Sequence, residues 1–240
     1  MVWKNEQVSE AETEEIMRLA EKALDAEGDY VELGCYKGDT AIMLADLLWA
    51  YNRGEIGGKD VENSVGEDEE DPVENSVETQ VEKEVESLGK NSWVMNEDAR
   101  RKKLWIYDSF EGLPEKAEVD RSETGVDFQA GELKATKMEV KKRFLRAGLP
   151  LPEIRKGWFQ DLHDEDLPIQ IAFAFLDGDF YQSIRVSLGI VERRMMPGGI
   201  VIVHDYNNPA LPGVARAVDE WLVGKNLSTR QYGSLMVIML

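Results

Sequence analysis

The 240-residue chain is poor in cysteine, in basic side chains and in long apolar runs. Its single cysteine, Cys35, cannot close an internal disulfide, so no disulfide framework holds the fold and a reducing cytoplasm is the expected compartment. With 28 Lys+Arg against 47 Asp+Glu, the net charge is -19. Nothing basic is in excess to neutralise phosphates or to dock on anionic lipid, so neither a nucleic acid nor a membrane is an expected partner. No apolar run reaches the ~18 residues of a membrane span. The first fifteen residues are acidic and polar, unlike a signal peptide. What the chain does have is 42% apolar residues, enough for a core, and a length that suits one domain over 1–240.

The negative charge is concentrated. Residues 54–99 hold 15 acidic and three basic side chains, which is twelve of the nineteen net charges. Val-Glu-Asn-Ser-Val occurs there twice, at 61–65 and 73–77. Two polar copies cannot bury a shared face as a solenoid does. The stretch reads as a low-complexity insert with little core and a frayed helix near 77–90, or else as an acidic interaction segment.

Elsewhere helix and strand patterns alternate. Ser9 and Glu12 form a capping box that opens a helix over about 9–27, with Ile16, Leu19, Ala20, Ala23 and Leu24 on one face. A strand at 29–34 leads into a helix at 39–51. Further strands are expected at 103–108, 153–158, 171–177 and 200–205, and two short ones at 228–240. Helices are expected at 132–147, 181–194 and 213–223, and Pro197-Gly-Gly199 as a turn. Residues 171–176 are wholly apolar, as in a central strand covered on both faces. This is an α/β pattern, and open α/β sheets bind ligands at the carboxyl ends of their strands.

The residues at those ends are therefore the informative ones. Gly34 and Gly38 follow the first strand, where the backbone can turn and approach a ligand at a helix start. A plain tight turn explains them equally, and their spacing is not that of the pyrophosphate fingerprint. Asp108 ends the second strand, where an acid either accepts ribose hydroxyls or serves as a turn acid. Without the insert, its distance from the glycine turn is the usual one for a ribose acid. Asp177 and Asp205 end two later strands. With His204 or Asn207 they could share one hard cation such as magnesium, or else Asp179 and Asn207 cap helices. His163, among four acids, reads as a surface residue. Trp105, Phe173 and Phe175 read as core.

Five motifs occur in order: Glu32-Leu-Gly-Cys-Tyr-Lys-Gly38, Tyr107-Asp-Ser-Phe-Glu-Gly-Leu-Pro114, Lys156-Gly-Trp-Phe-Gln160, Leu176-Asp-Gly-Asp-Phe-Tyr181 and Gly198-Gly-Ile-Val-Ile-Val-His-Asp-Tyr206. Together they resemble the macrocin O-methyltransferase (TylF-like) family of class I S-adenosylmethionine-dependent methyltransferases, over about 28–54 and 100–225. The resemblance implies a Rossmann-like α/β/α fold whose seven-stranded, mostly parallel sheet has an antiparallel last strand. It implies S-adenosylmethionine and a magnesium ion, and methyl transfer to a sugar hydroxyl. Carried over by position, Glu32, Gly34 and Gly38 meet the methionine end of the cofactor, Tyr36 is a further cofactor contact, and Asp108 holds the ribose. Ser109, Phe110, Trp158 and Phe159 surround the adenine. Asp177 and Asp205 hold the metal, and Asp177 also serves as the catalytic base, with Asp179 in support. The chain departs from the family pattern in three places: His204 stands where an acid is common, the N-terminal extension is mostly missing, and the insert is foreign.

The implied partner is a small-molecule acceptor, a sugar or other polyhydroxylated compound, and related enzymes often form homo-oligomers. The sequence is compatible with two other readings. One is a catechol-type O-methyltransferase. The other is a non-catalytic cofactor-binding scaffold whose acidic insert recruits a partner.

Overall fold

A computed structural model describes residues 5–56 and 101–240. The expected acidic insert and its helix near 77–90 lie almost wholly outside the described residues. The elements run, in chain order, α1 Glu10–Lys22, β1 Asp29–Leu33, α2 Asp39–Asn52, β2 Leu104–Asp108, α3 Lys137–Arg146, β3 Glu153–Lys156, β4 Ile171–Leu176, α4 Tyr181–Glu192, β5 Met195–Val203, α5 Pro212–Leu222, β6 Ser228–Tyr232 and β7 Leu235–Met239. The strands form one seven-stranded sheet in the order β3-β2-β1-β4-β5-β7-β6. β1 to β5 are parallel neighbours, and β7 runs antiparallel between β5 and β6. The expected mostly parallel sheet with its antiparallel last strand is what the chain forms.

Alternation along the strands splits the core into two layers, because successive side chains point to opposite faces. Tyr30, Phe173, Phe175, Ile200, Ile202 and Val237 pack with α1, α2 and α3 on one face. Val31, Leu33, Ala174, Leu176, Val201 and Ile238 pack with α4 and α5 on the other. All six residues of β4 are buried, as a strand covered on both sides requires. Phe144 of α3 is fully buried, a contribution of about 1.5–3 kcal/mol.

Several boundaries differ from the sequence reading: the first helix, expected to 27, ends at Lys22, and the strand expected to 158 ends at Lys156. The helix expected from 132 begins at Lys137, because Thr136 and Glu139 form a capping box that starts it there. Upstream, Leu133 has φ +54°, which a right-handed helix cannot contain. The turn expected at Pro197-Gly-Gly199 lies inside β5. Met195 already pairs with Ile171, and the register shifts between Ile171 and Phe173, the sheet partners of Met195 and Ile200. Proline's missing N–H is tolerated at such an exposed irregularity, and Gly198 and Gly199 recover pairing through Leu240.

Strand order reverses direction between β1 and β4, which opens a crevice above their carboxyl ends. Backbone hydrogen bonds continue past the strands there. The N–H groups of Gly34, Asp177 and His204 donate to Tyr107, Leu33 and Leu176 at 2.8, 2.8 and 3.0 Å. The residues that end four neighbouring strands are thereby held level at one rim.

Candidate active site

A cavity of about 310 Å³ occupies the crevice. Its floor begins at the turn after β1. Gly34 has φ +94°, and a Cβ there would overlap the carbonyl oxygen of Asp177, so only glycine lets β1 and β4 close at this point. Tyr36 follows with φ +45° and lines the cavity.

Asp108 organises this turn from β2. One carboxylate oxygen accepts the N–H groups of Cys35 and Tyr36, each at 3.0 Å, and the other accepts that of Phe110 at 2.7 Å. Burial pushes the Asp108 carboxyl up, and the backbone N–H groups oppose that shift. The two alternatives for this residue are thus not exclusive. It is a turn acid, and it also faces the cavity. A carboxylate has about four acceptor positions, so one remains for a ligand hydroxyl.

Of the other residues assigned to the cofactor, Ser109, Trp158 and Phe159 line the cavity. Glu32, Gly38 and Phe110 are not part of its lining. Phe110 packs in the core instead. Gly38 supplies the left-handed start of α2, with φ +82°. Glu32 is 2% exposed, and one of its oxygens has no hydrogen-bond partner among the described residues. Burial, then the charges of Asp177, Asp108 and Asp39, drives its carboxyl well above the usual range. Cys35 is buried and its thiol is pushed up by burial, which leaves it no role as a nucleophile.

On the far side of Gly34 the ends of β4 and β5 bring three donors together. His204 Nδ1 lies 2.9 Å from Asp177 Oδ1 and 3.3 Å from Asp205 Oδ2. The three donor atoms all fall within 4.8 Å of one another, close enough that they could share a metal ion. Asn208, rather than the Asn207 singled out by sequence, braces this cluster. Its amide donates to Asp205 Oδ1 at 2.8 Å, and its own Oδ1 accepts Ala210 N–H at 3.0 Å. Burial of His204 disfavours its charge, but Asp177, Asp205 and Asp179 outweigh that, and its pKa is pushed up to about 10. Burial raises the carboxyl of Asp205, with His204 opposing. Asp179 lines the cavity beside them; desolvation, then Asp177 and Asp205, drives its carboxyl well up.

The roof contains residues that no motif marked. Asp120 is 1% exposed, and its Oδ1 accepts the N–H of Tyr181 at the start of α4, at 2.7 Å. A Cβ at Gly213, in the first turn of α5, would overlap that same oxygen. Ser122 donates to the carbonyl of Pro209 at 2.9 Å, tying the two loops that flank the opening. Gln7 also lines the cavity. Its segment is held by bonds from Asn5 to Thr40 and from Glu6 N–H to Asp39, at 2.9 and 3.2 Å. These contacts join distant positions through irregular backbone, so periodicity could not reveal them. His163 is exposed, as its acidic neighbourhood suggested.

A sequence model of the family described as Macrocin-O-methyltransferase (TylF) matches residues 69–230, more than half of the chain. A Streptomyces olivaceus protein, 8-demethyl-8-(2,3-dimethoxy-alpha-L-rhamnosyl)-tetracenomycin-C 4'-O-methyltransferase, is 36% identical over 111 residues, covering 44% of this chain and 42% of that one. Mycinamicin III 3''-O-methyltransferase of Micromonospora griseorubida is 30% identical over 131 residues, covering 52% and 50%. The chain thus matches about half the length of these curated relatives. The solved O-methyltransferase NovP superposes with a TM-score of 0.63 over 95% of this chain and 78% of that one, at 21% identity, which speaks to the fold alone. On the strength of the family match, placed on this sheet, the chain belongs to the macrocin-O-methyltransferase (TylF) family.

Proposed function

We propose that this chain is an S-adenosylmethionine-dependent O-methyltransferase acting on a sugar hydroxyl of a glycosylated small molecule. The observation that carries this is that the Gly34–Tyr36 turn and the Asp177–His204–Asp205 cluster line one cavity, in a chain of this family. One relative is named for 4'-O-methylation of a rhamnosyl-tetracenomycin, and another for 3''-O-methylation of mycinamicin III.

In this reading Gly34 and Tyr36 seat the methionine end of the cofactor. Asp108 offers its remaining acceptor position to the ribose, beside Ser109. Trp158 and Phe159 give the adenine ring a flat wall. S-adenosylmethionine, when bound, supplies a methyl group already activated on a sulfonium, so the protein's task is to orient the acceptor and remove its proton. Asp177, Asp205 and His204 present two carboxylates and an imidazole nitrogen at mutual distances that suit a divalent ion. Such an ion, when bound, lowers the pKa of a hydroxyl. Asp177 takes the acceptor proton as general base, and Asp205 and His204 hold it in place. The roof loops exclude water from the reacting groups.

We read residues 1–240 as one unit with an insert at 54–99, working in the cytoplasm. No helix among the described residues is long and apolar enough to cross a membrane. The apolar walls, including Leu113, Phe128 and Leu211, also favour a flat catechol as a second acceptor class.

The test is transfer from methyl-labelled cofactor to a panel of deoxysugar glycosides and catechols. Labelled glycoside is expected, and Asp177→Asn should lower kcat at least a hundredfold with cofactor affinity changed less than threefold. Label confined to catechols would replace the acceptor assignment. Absence of binding of both the cofactor and a divalent ion would leave only a scaffold that recruits a partner.

A further inference from the structure

The donor set at the rim is mixed: two carboxylate oxygens and one imidazole nitrogen. The nitrogen is not a loose arm. His204 is 6% exposed, its backbone N–H is bound to Leu176, and its ring lies 6.1 Å from that of Phe175. Asp205 is fixed in turn by Asn208 and by a left-handed backbone, φ +59°. Nδ1 therefore faces Asp177 and Asp205 from a set position, and an ion held there takes the place of the proton that Nδ1 shares with Asp177. Its separations from their oxygens, 2.9 and 3.3 Å, bracket the edge of about 3 Å between adjacent ligands of a six-coordinate ion with bonds near 2.1 Å.

Ligand type then decides which ion gains most. Magnesium is hard, prefers oxygen throughout and gives up water reluctantly. Imidazole nitrogen suits iron, cobalt, nickel and zinc, and affinities of mixed N/O sites rise along the first transition row. Replacing an oxygen donor by nitrogen also withholds one negative charge, the feature on which a hard ion depends most. We propose that the Asp177–His204–Asp205 site takes a first-row transition-metal dication in preference to magnesium, with His204 as the residue that sets the preference. This rests on the reading of the cluster as a cation site given above.

The test uses the full chain after treatment with chelator. Cobalt(II), zinc(II) and magnesium(II) are titrated separately by calorimetry, and the visible spectrum of the cobalt(II) form is recorded. Asp177→Asn serves as the background for ions held by other acidic side chains. One cobalt or zinc ion per chain is expected beyond that background, at least tenfold tighter than magnesium. The cobalt spectrum should carry the signature of nitrogen ligation, and His204→Asp should abolish that signature and narrow the preference at least tenfold. Equal or tighter magnesium binding to the wild-type chain would overturn the proposal, and so would the absence of any ion lost with Asp177→Asn. The wild-type ratio and spectrum decide the matter even if the variants fold poorly. Cofactor binding is measured in parallel. A chain that binds cofactor and transfers methyl groups in chelator would refute the metal assignment and leave the methyltransferase reading standing. A chain that binds the ion and no cofactor would do the reverse.

Discussion

Five non-glycine residues among those described have a left-handed backbone: Tyr36, Phe110, Leu133, Asp179 and Asp205. Four line the cavity, and Phe110 directly follows Ser109, which does. Such conformations cost about 1–3 kcal/mol each and persist where the surroundings impose them. Asp179 carries the further burden of standing among like charges. Asp179→Gly should therefore raise Tm by a few degrees, as about 1 kcal/mol does in a domain of this size, while reducing methyl transfer. Thermal unfolding and a turnover assay check both halves. At Gly34 the sign reverses. Gly34→Ala puts a methyl group into the carbonyl of Asp177, and should lower Tm by more than about 5 °C or abolish soluble expression. These strand-end glycines and acids were legible in sequence, because each sits where a short apolar run stops. That Glu32 and Phe110 lie outside the cavity lining was not. Their distance from the ligand space depends on how the turn folds beneath Asp108, which only tertiary contacts determine.

At the scale of elements, the site is a rigid rim under a loop-built roof. The rim is sheet, zipped by backbone bonds between neighbouring strand ends. The roof hangs on side chains, above all on Asp120, which satisfies the first N–H of α4 from a loop 61 residues away. Neither α4 nor α5 has a side-chain cap from the residue that precedes it. Asp120→Ala should cost about 1–2 kcal/mol, the range for a lost helix cap. By loosening the loop it should also raise KM for the acceptor severalfold, with a smaller change in cofactor affinity. Steady-state kinetics with each substrate varied in turn separates the two effects. Asp120 was invisible in sequence because nothing local marks a residue whose partners are two distant helix ends. The capping box at Thr136 and Glu139 was on display in the sequence. It yields a shorter α3 than apolar spacing suggested, since capping chemistry fixes a helix start more sharply than periodicity does.

For the whole molecule, charge and connectivity belong together. Most of the net charge of -19 falls within 54–99, away from the motifs that build the rim. The chain leaves α2 and returns to β2 at nearly the same point. The Asn52 side chain bonds both the N–H and the carbonyl of Lys102, at 3.0 and 2.9 Å. Replacing 57–100 by a short Gly/Ser linker should therefore leave Tm within a few degrees and methyl transfer within about threefold. Loss of either would give the segment a part in the fold or the site. Fold class was readable from alternating strand and helix patterns and from the apolar run of β4. The antiparallel place of β7 came from the family resemblance, since periodicity carries no strand direction.

The proposed chemistry depends on where the cofactor lies. A crystal structure with S-adenosylhomocysteine tests this most directly. Its amino-acid end should rest on the Gly34–Tyr36 turn, its ribose at Asp108 and its adenine against Trp158 and Phe159, with the sulfur directed toward Asp177. Density for the ligand elsewhere, or a cavity that stays empty at saturating concentration, would contradict the proposed chemistry.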